Sequence, residues 1–147
     1  MRHRGRRSEE GVVLIEFAFV FALFVFILYA LIAFGMALAL KHTVTHAAGE
    51  GARAAVGVID DPATTTVDER VVTAEDEVRD SMDWIGPKFD PADVTAQVDP
   101  CVASSGECIT VKIEYPYSAK PIVPAAPGMG LVYPDKMTST AVVKLNS

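Results

Sequence analysis

The sequence predicts an α+β protein. A long N-terminal transmembrane helix packs by its distal half against a small antiparallel sheet of about three strands, with one further helix. Three observations predict this fold. An apolar run of membrane-spanning length begins near the N-terminus, and it continues without proline into a more polar helical segment. The C-terminal part contains three short segments in which apolar and polar residues alternate, as they do in half-buried strands.

The apolar run sets the expected domain organisation. Residues 12–40 contain one formally charged side chain, Glu16. A bilayer core of about 30 Å needs about 20 helical residues, so the run is long enough to cross a membrane. Because no proline occurs between Met1 and Asp61, we expect the helix to continue to residue 58. The expected parts are a basic leader at 1–11, a transmembrane helix at 12–40, an extension of that helix at 41–58 and a small soluble α+β domain at 59–147.

Charge is distributed unevenly along the chain. The leader carries four arginines and two glutamates, whereas the part after Leu40 carries nine Lys/Arg against sixteen Asp/Glu, a balance of −7. The positive-inside rule predicts a single-pass protein of the cytoplasmic membrane, with its N-terminus in the cytoplasm and its soluble domain outside. An acidic exported domain has no basic face for nucleic acid, so a nucleic-acid partner is not expected.

The soluble domain is predicted to contain one helix and three strands. A helix is expected from Val67 to Trp84, and the alternating segments predict strands near residues 94–99, 109–115 and 140–145. The long segment 116–134, rich in proline and glycine, is expected either to contact a partner subunit or the membrane surface, or to lie over its own sheet. The positions of the helix expected to be buried are Val71, Val72, Val78, Met82 and Ile85.

The two cysteines lie between the first two predicted strands. Cys101 and Cys108 are expected to form a disulfide, because paired cysteines in an exported domain usually do. A structural zinc site is the less favoured alternative, since it would need four ligands. His42, His46 and Glu50 share a helix face and could in principle meet a metal, but a solvated polar face just outside the membrane is favoured, because no further ligand is in register. No metal and no cofactor is therefore expected.

The sequence contains no recognisable catalytic motif, such as a Gly-x-Ser-x-Gly nucleophile turn or a phosphate-binding glycine loop. We therefore do not expect an enzyme. Three fates of the N-terminal segment remain open: a secretory signal cleaved near Ala37-Leu38-Ala39, an uncleaved anchor, and cleavage at the start of the apolar run. An uncleaved anchor explains the arginines and the length of the run, but it does not explain a carboxylate inside a membrane segment, which is costly.

The third fate is supported by a resemblance. The junction Gly11-Val12-Val13-Leu14-Ile15-Glu16-Phe17 resembles the processing site of type IV prepilins and pseudopilins. The resemblance implies that a prepilin peptidase cuts after Gly11, making Val12 the new N-terminus and Glu16 the fifth residue of the mature chain. It also implies that Glu16 meets the Val12 amine of a neighbouring subunit. Classical pilins carry phenylalanine where this chain has Val12, which points to a relative of that class.

A second block narrows the family. The segment Gly49-Glu50-Gly51-Ala52-Arg53-Ala54-Ala55, with Phe34-Gly35 before it, resembles TadE-like proteins, which are pseudopilins of tight-adherence (Flp) pili. Glu50, Gly51 and Arg53 match the family block. The resemblance implies a pilin-like fold and three partners: a prepilin peptidase, other pilins and an inner-membrane assembly platform, besides membrane lipid. The alternative is an uncleaved membrane-anchored extracytoplasmic binding module. The small residues expected to permit close helix packing are Gly35, Ala48, Gly51, Ala52 and Ala55.

Overall fold

The computed structural model describes residues 6–59, 68–102, 105–124 and 133–145, the first five of these as backbone only. Two α-helices and three strands make up the fold. Two short 3-10 turns, Asp83–Lys88 and Pro91–Asp93, connect the second helix to the first strand. The α+β class predicted from the sequence is confirmed. The main elements are α1 (Arg6–Val56), α2 (Glu69–Met82), β1 (Val94–Pro100), β2 (Glu107–Tyr115) and β3 (Met137–Lys144).

Helix α1 runs without interruption for 51 residues, or about 76 Å at 1.5 Å per residue. It begins at Arg6, earlier than expected, so the leader enters the helix and Gly11 lies within it. It is long and apolar enough to cross a membrane. The connection between α1 and α2 at residues 60–67 lies outside the described residues.

Helix α2 begins with a side-chain cap. The Asp68 side chain accepts a hydrogen bond from the Arg70 backbone N–H, which satisfies one of the free donors at a helix N-terminus. Burial raises the pKa of Asp68, but the hydrogen bonds and the positive charge of Arg70 outweigh burial and hold that pKa below its ordinary value. The buried face of the helix consists of Ala74, Val78 and Met82. Val72, expected to be buried, is 45% exposed, so that part of the prediction is wrong.

The sheet is antiparallel with strand order β1-β2-β3. Its central strand β2 alternates between the two faces of the sheet, and Ile109, Val111 and Ile113 are fully buried. These three side chains belong to the same core cluster as Leu40 and Val44 of α1. The sheet therefore covers the distal half of α1, as the sequence predicted.

Three contacts fix the orientation of the soluble domain along α1. Lys41 Nζ donates to the Thr138 carbonyl oxygen over 2.6 Å at the start of β3. Further along, Gly51 lies against Ala74 of α2, and Arg70 Nη1 lies 3.5 Å from Glu107 Oε2 at the start of β2. Helix α2 therefore runs antiparallel to α1. We call the end of the domain near Lys41 the proximal end, and the end holding the β1–β2 turn the distal end.

The closest approach of the two helices is at Gly51. A Cβ atom at this position would lie 2.7 Å from both the Ala74 carbonyl oxygen and Val78 Cγ2. Small buried residues surround the contact at Ala48, Ala52 and Ala55. At Gly51 the packing partner of this small-residue face is helix α2. The glycine is therefore required by helix–helix distance.

The expected disulfide is present at the distal end. Cys101 and Cys108 are bonded with their Cα atoms 5.1 Å apart, and both described cysteines are used. The Cys101 N–H donates to the Gly106 carbonyl oxygen over 3.0 Å, and Gly106 has a φ of +115°, which favours glycine. The bridge and the turn together tie β1 to β2 at the point farthest from the N-terminus.

Gly51→Ala should destabilise the soluble domain although alanine is the better helix former by about 1 kcal/mol. The added methyl group would displace the α2 backbone at Ala74, which side-chain adjustment cannot relieve. Urea unfolding of the full chain in mild detergent, followed through its one tryptophan, Trp84, measures the effect.

The matched control is Gly49→Ala, because a Cβ atom there has nothing within 4 Å. This control should raise stability by about 0.5–1 kcal/mol through helix propensity alone. Equal responses of the two variants would contradict close packing at Gly51.

Cys101→Ser combined with Cys108→Ser should lower the unfolding free energy by about 2.5 kcal/mol, because the bridge closes a short loop. The same unfolding experiment measures this change. Adding reductant to the unmutated chain should reproduce the loss, and reductant should leave the double variant unaffected. A response of the double variant to reductant would contradict the assignment of the loss to this bridge.

Candidate processing and assembly site on the N-terminal helix

The first part of α1 has no contact partner in the described structure. All side chains from residue 11 to residue 28 are exposed. This exposed segment measures about 27 Å at 1.5 Å per residue, close to the roughly 30 Å thickness of a bilayer core. Within it, the rings of Phe17 and Phe21 stack with centroids 5.8 Å apart. An apolar surface of this size without protein cover needs lipid or another helix around it.

Gly11 lies at the start of the exposed segment. It has helical backbone, and a Cβ atom built on it has nothing within 4 Å. Close packing therefore does not require glycine here. Glycine is, however, about 1 kcal/mol less favourable in a helix than alanine, so this turn is easier to unwind than its neighbours. A peptidase needs an extended backbone at its cleavage site, and glycine also leaves no side chain to clash with it.

Val12, Glu16 and Phe17 follow on the exposed surface. Val12 and Phe17 are 65% and 67% exposed. Val12 and Glu16 are four residues apart on a helix, so their Cβ atoms are about 6 Å apart on the same face. Among the described side chains, none forms an ion pair with Glu16. Its carboxylate is therefore available to a group that the isolated chain does not supply.

The soluble domain first contacts α1 at Tyr29, well before Leu40. The Tyr29 hydroxyl donates to the Pro124 carbonyl oxygen, and Ala33, Ala37 and Leu40 are buried by the domain. Hydropathy places these residues in the same apolar run as the exposed segment, because lipid and a protein core both favour apolar side chains. The structure therefore divides the run at Tyr29 into a part without cover and a part of which one face is covered by the chain's own domain.

The three residues of the block that resembles TadE-like proteins make two different kinds of contact. Glu50 and Arg53 form an ion pair on the outer face of α1, with Oε1 and Nη1 2.6 Å apart. Gly51, between them, is buried against α2. Glu50 and Arg53 therefore form an ion pair on the surface of the helix, whereas Gly51 permits the helix–helix contact. Gly35, also expected at a packing position, is exposed with open space around it.

The histidines lie on the exposed side of the same helix. His46 Nε2 is 3.6 Å from Glu50 Oε1, in the polar face next to the family block. Within the part of the chain that the structure describes, no group of three His, Cys, Asp or Glu side chains could hold a metal ion. The same oxygen, Glu50 Oε1, also forms the shorter ion pair with Arg53.

Sequence reasoning did not identify the aromatic cluster at the proximal end. Tyr115 and Tyr117 are almost fully buried there, and the rings of Tyr117 and Tyr133 lie 5.4 Å apart. Burial, with a smaller contribution from the Asp93 carboxylate, raises the pKa of Tyr115, and burial also raises the pKa of Tyr117. The Tyr115 hydroxyl donates to the Lys120 carbonyl oxygen over 2.6 Å and so holds the segment after β2 close to the domain. The presence of several tyrosines around segment 116–134 was the available signal.

Residues 11–53 match the family model described as TadE-like protein. Comparison with curated proteins and with solved structures gives no match. The matched region begins at Gly11 and ends at Arg53, so it contains the junction around Glu16, the exposed segment and the Glu50–Arg53 block. The family is structural rather than catalytic. The match confirms the TadE-like resemblance over residues 11–53.

Proposed function

We propose that this chain is a structural pseudopilin of a Tad (Flp) pilus, processed by a prepilin peptidase after Gly11 and assembled through α1. The observation that carries the proposal is the exposed segment 11–28. It has membrane length, lacks cover from the described part of the domain, and begins with a glycine followed five residues later by a carboxylate. It also lies wholly inside the region that matches the TadE-like family. A catalytic role is not part of the proposal.

Cleavage after Gly11 would give Glu16 a partner. The new α-amine at Val12 would lie one helical turn away on the same face, where the two charges partly neutralise each other. An isolated carboxylate in a membrane segment is costly, so this pairing lowers the cost of insertion. In an assembly the same carboxylate would meet the Val12 amine of a neighbouring subunit. Such pairs are weak sources of stability but effective determinants of register.

The proposal also assigns topology and partners. The basic leader stays in the cytoplasm, where the peptidase and the inner-membrane assembly platform reach it, and the acidic domain lies outside the cytoplasmic membrane. Other pilins of the same system would cover the exposed segment 11–28 in the assembled state. The chain would thereby support pilus biogenesis or adhesion.

The alternative is an uncleaved anchor that displays a binding module. The disulfide-bonded turn supports this alternative, because it lies at the distal end of the domain, where a displayed surface would be most accessible. The two functions differ in whether the leader is removed and whether Glu16 is needed.

The first prediction concerns the N-terminus of the mature chain. In cells that contain a prepilin peptidase, the chain should begin at Val12, and in cells without that peptidase it should begin at Met1. Intact-mass spectrometry of the purified protein measures both. Gly11→Leu should block cleavage, because a large side chain enters the extended cleavage site.

The matched control is Gly35→Leu, which alters an equally open glycine of the same helix and should leave cleavage unchanged. A chain beginning at Met1 in both strains would support the uncleaved anchor. A chain beginning at Leu40 would support a secretory signal. Either result contradicts the proposed processing.

The second prediction concerns Glu16. Glu16→Gln should leave cleavage at Gly11 intact but reduce recovery of the chain with other pilins to about a tenth or less, because one charge pair per subunit contact is lost. Quantitative co-purification from crosslinked membranes measures the loss. Glu16→Asp keeps the charge and should recover part of the assembly. Unchanged recovery of Glu16→Gln would contradict assembly through this carboxylate.

A further inference from the structure

A cleft lies between α1 and the start of β3 at the proximal end of the domain. Its volume is about 310 Å³, within the range of roughly 300–1,000 Å³ of small-molecule sites. The α1 side is formed by Phe34, Ala37 and Leu38, and the opposite side includes Tyr133 and Met137. Most of the lining is apolar. Phe34 and Leu38 are still about half exposed, so the cleft is open along the helix toward the exposed segment.

Two lysines give the cleft a positive rim. Of the described residues that line it, two are lysines, Lys41 and Lys136, and none is a carboxylate. Lys41 Nζ donates one hydrogen bond to the Thr138 carbonyl oxygen, and an ammonium group has two further donors. Lys136 Nζ forms an exposed ion pair with Glu114, whose Oε2 lies 3.6 Å away, and the exposed Asp135 precedes it in the chain. Both ammonium groups can therefore donate to a further anionic group.

The position of the cleft along α1 identifies the medium that it faces. Twenty helical residues counted from Val12 end at Leu31, which is the length that a bilayer core of about 30 Å requires. Phe34 follows within one turn. Lys41 follows Phe34 by about two helical turns. Because side chains on a helix tilt toward its N-terminus, the Lys41 side chain leans back toward the membrane. The cleft therefore lies at the depth of the lipid headgroups in the outer leaflet.

We propose that this cleft binds one phospholipid with an anionic headgroup. The phosphate lies between the ammonium groups of Lys41 and Lys136, and an acyl chain follows Phe34 and Leu38 down the exposed helix into the bilayer. Charge complementarity favours a lipid over the apolar helix of a second copy of the chain. The one charge in residues 12–28 of a second copy is Glu16, which lies near the N-terminal end of that segment, far along the helix from the two lysines. The inference rests on the membrane anchoring in the proposed function, but not on cleavage or assembly.

Native mass spectrometry of the full, unprocessed chain released from detergent tests the site. With phosphatidylglycerol added, the chain should retain one lipid, and with phosphatidylcholine of the same acyl chains it should retain markedly less. Lys41→Gln combined with Lys136→Gln should weaken phosphatidylglycerol binding about thirtyfold, since each lysine at an anionic surface contributes roughly a factor of five. Glutamine keeps a hydrogen-bond donor at Lys41, and Trp84 fluorescence checks that the domain is folded.

The matched control is Arg53→Gln combined with Lys144→Gln, which removes the same charge at exposed positions away from the cleft. This control should bind phosphatidylglycerol like the unmutated chain. Equal retention of the two lipids, or equal weakening in both double variants, would overturn the site. Displacement of the lipid by glycerol phosphate at equal concentration would indicate a free-phosphate site and overturn the lipid assignment. Loss of a dimer instead of a lipid would identify a contact between copies and overturn it too.

The outcomes separate this inference from the proposed function. Lipid binding by a chain that begins at Met1 in cells would leave the cleft intact and contradict only the processing. Normal cleavage with no difference between the two lipids would contradict only the cleft.

Discussion

The buried face of α1 from Ala33 to Ala55 is the surface on which the rest of the domain is built. Helix α2 and strands β2 and β3 all contact α1. A three-stranded sheet with one short helix has too little apolar area to form a stable core without a further element. The long helix supplies that element. Its small residues allow α2 to approach until only a hydrogen atom fits between Gly51 and Ala74.

The same helix presents two surfaces that hydropathy does not distinguish. The exposed segment is rich in large side chains, including Phe17, Phe19 and Phe24, whereas the covered face consists mostly of alanine, with Gly51, Leu40 and Val44. Large apolar side chains fill the loose environment of lipid or a filament interior, and small ones permit a fixed distance to a protein neighbour. A helix face rich in small side chains, rather than a change in polarity, therefore marks the part of α1 against which the soluble domain packs. This face begins near Ala33, a few residues after the first contact at Tyr29.

The periodicity of apolar residues predicted the helices and strands. Contacts between residues far apart in the sequence could not be predicted from it. The strands and the cysteine pair followed from alternation and from cysteine placement, since both depend on neighbours in sequence. The assignment of Val72 to the core was wrong, and Ala74 was missed, because the buried face of α2 depends on which of its residues meets Gly51. The tyrosine cluster and the cleft join residues 29–41 to residues 115–138. No local pattern could reveal that pairing. Those features were therefore accessible only through the structure.

Continuity of α1 links the junction at Glu16 to the proximal end of the domain. The helix has no proline and no break between Gly11 and Val56, and the domain holds it from Tyr29 onward. No hinge therefore separates the exposed segment from the domain, and the depth of Glu16 in the membrane fixes the height of Lys41 above it. A helix that slid outward by one turn, about 5.4 Å, would lift the lysines out of the headgroup layer and draw the carboxylate deeper into the bilayer core. Both displacements are unfavourable, because one separates charges from an anionic surface and the other buries a charge. Glu16 and Lys41, at opposite ends of one continuous apolar segment, thus both oppose outward sliding of the helix. Cleavage after Gly11 leaves the distance between these two groups unchanged.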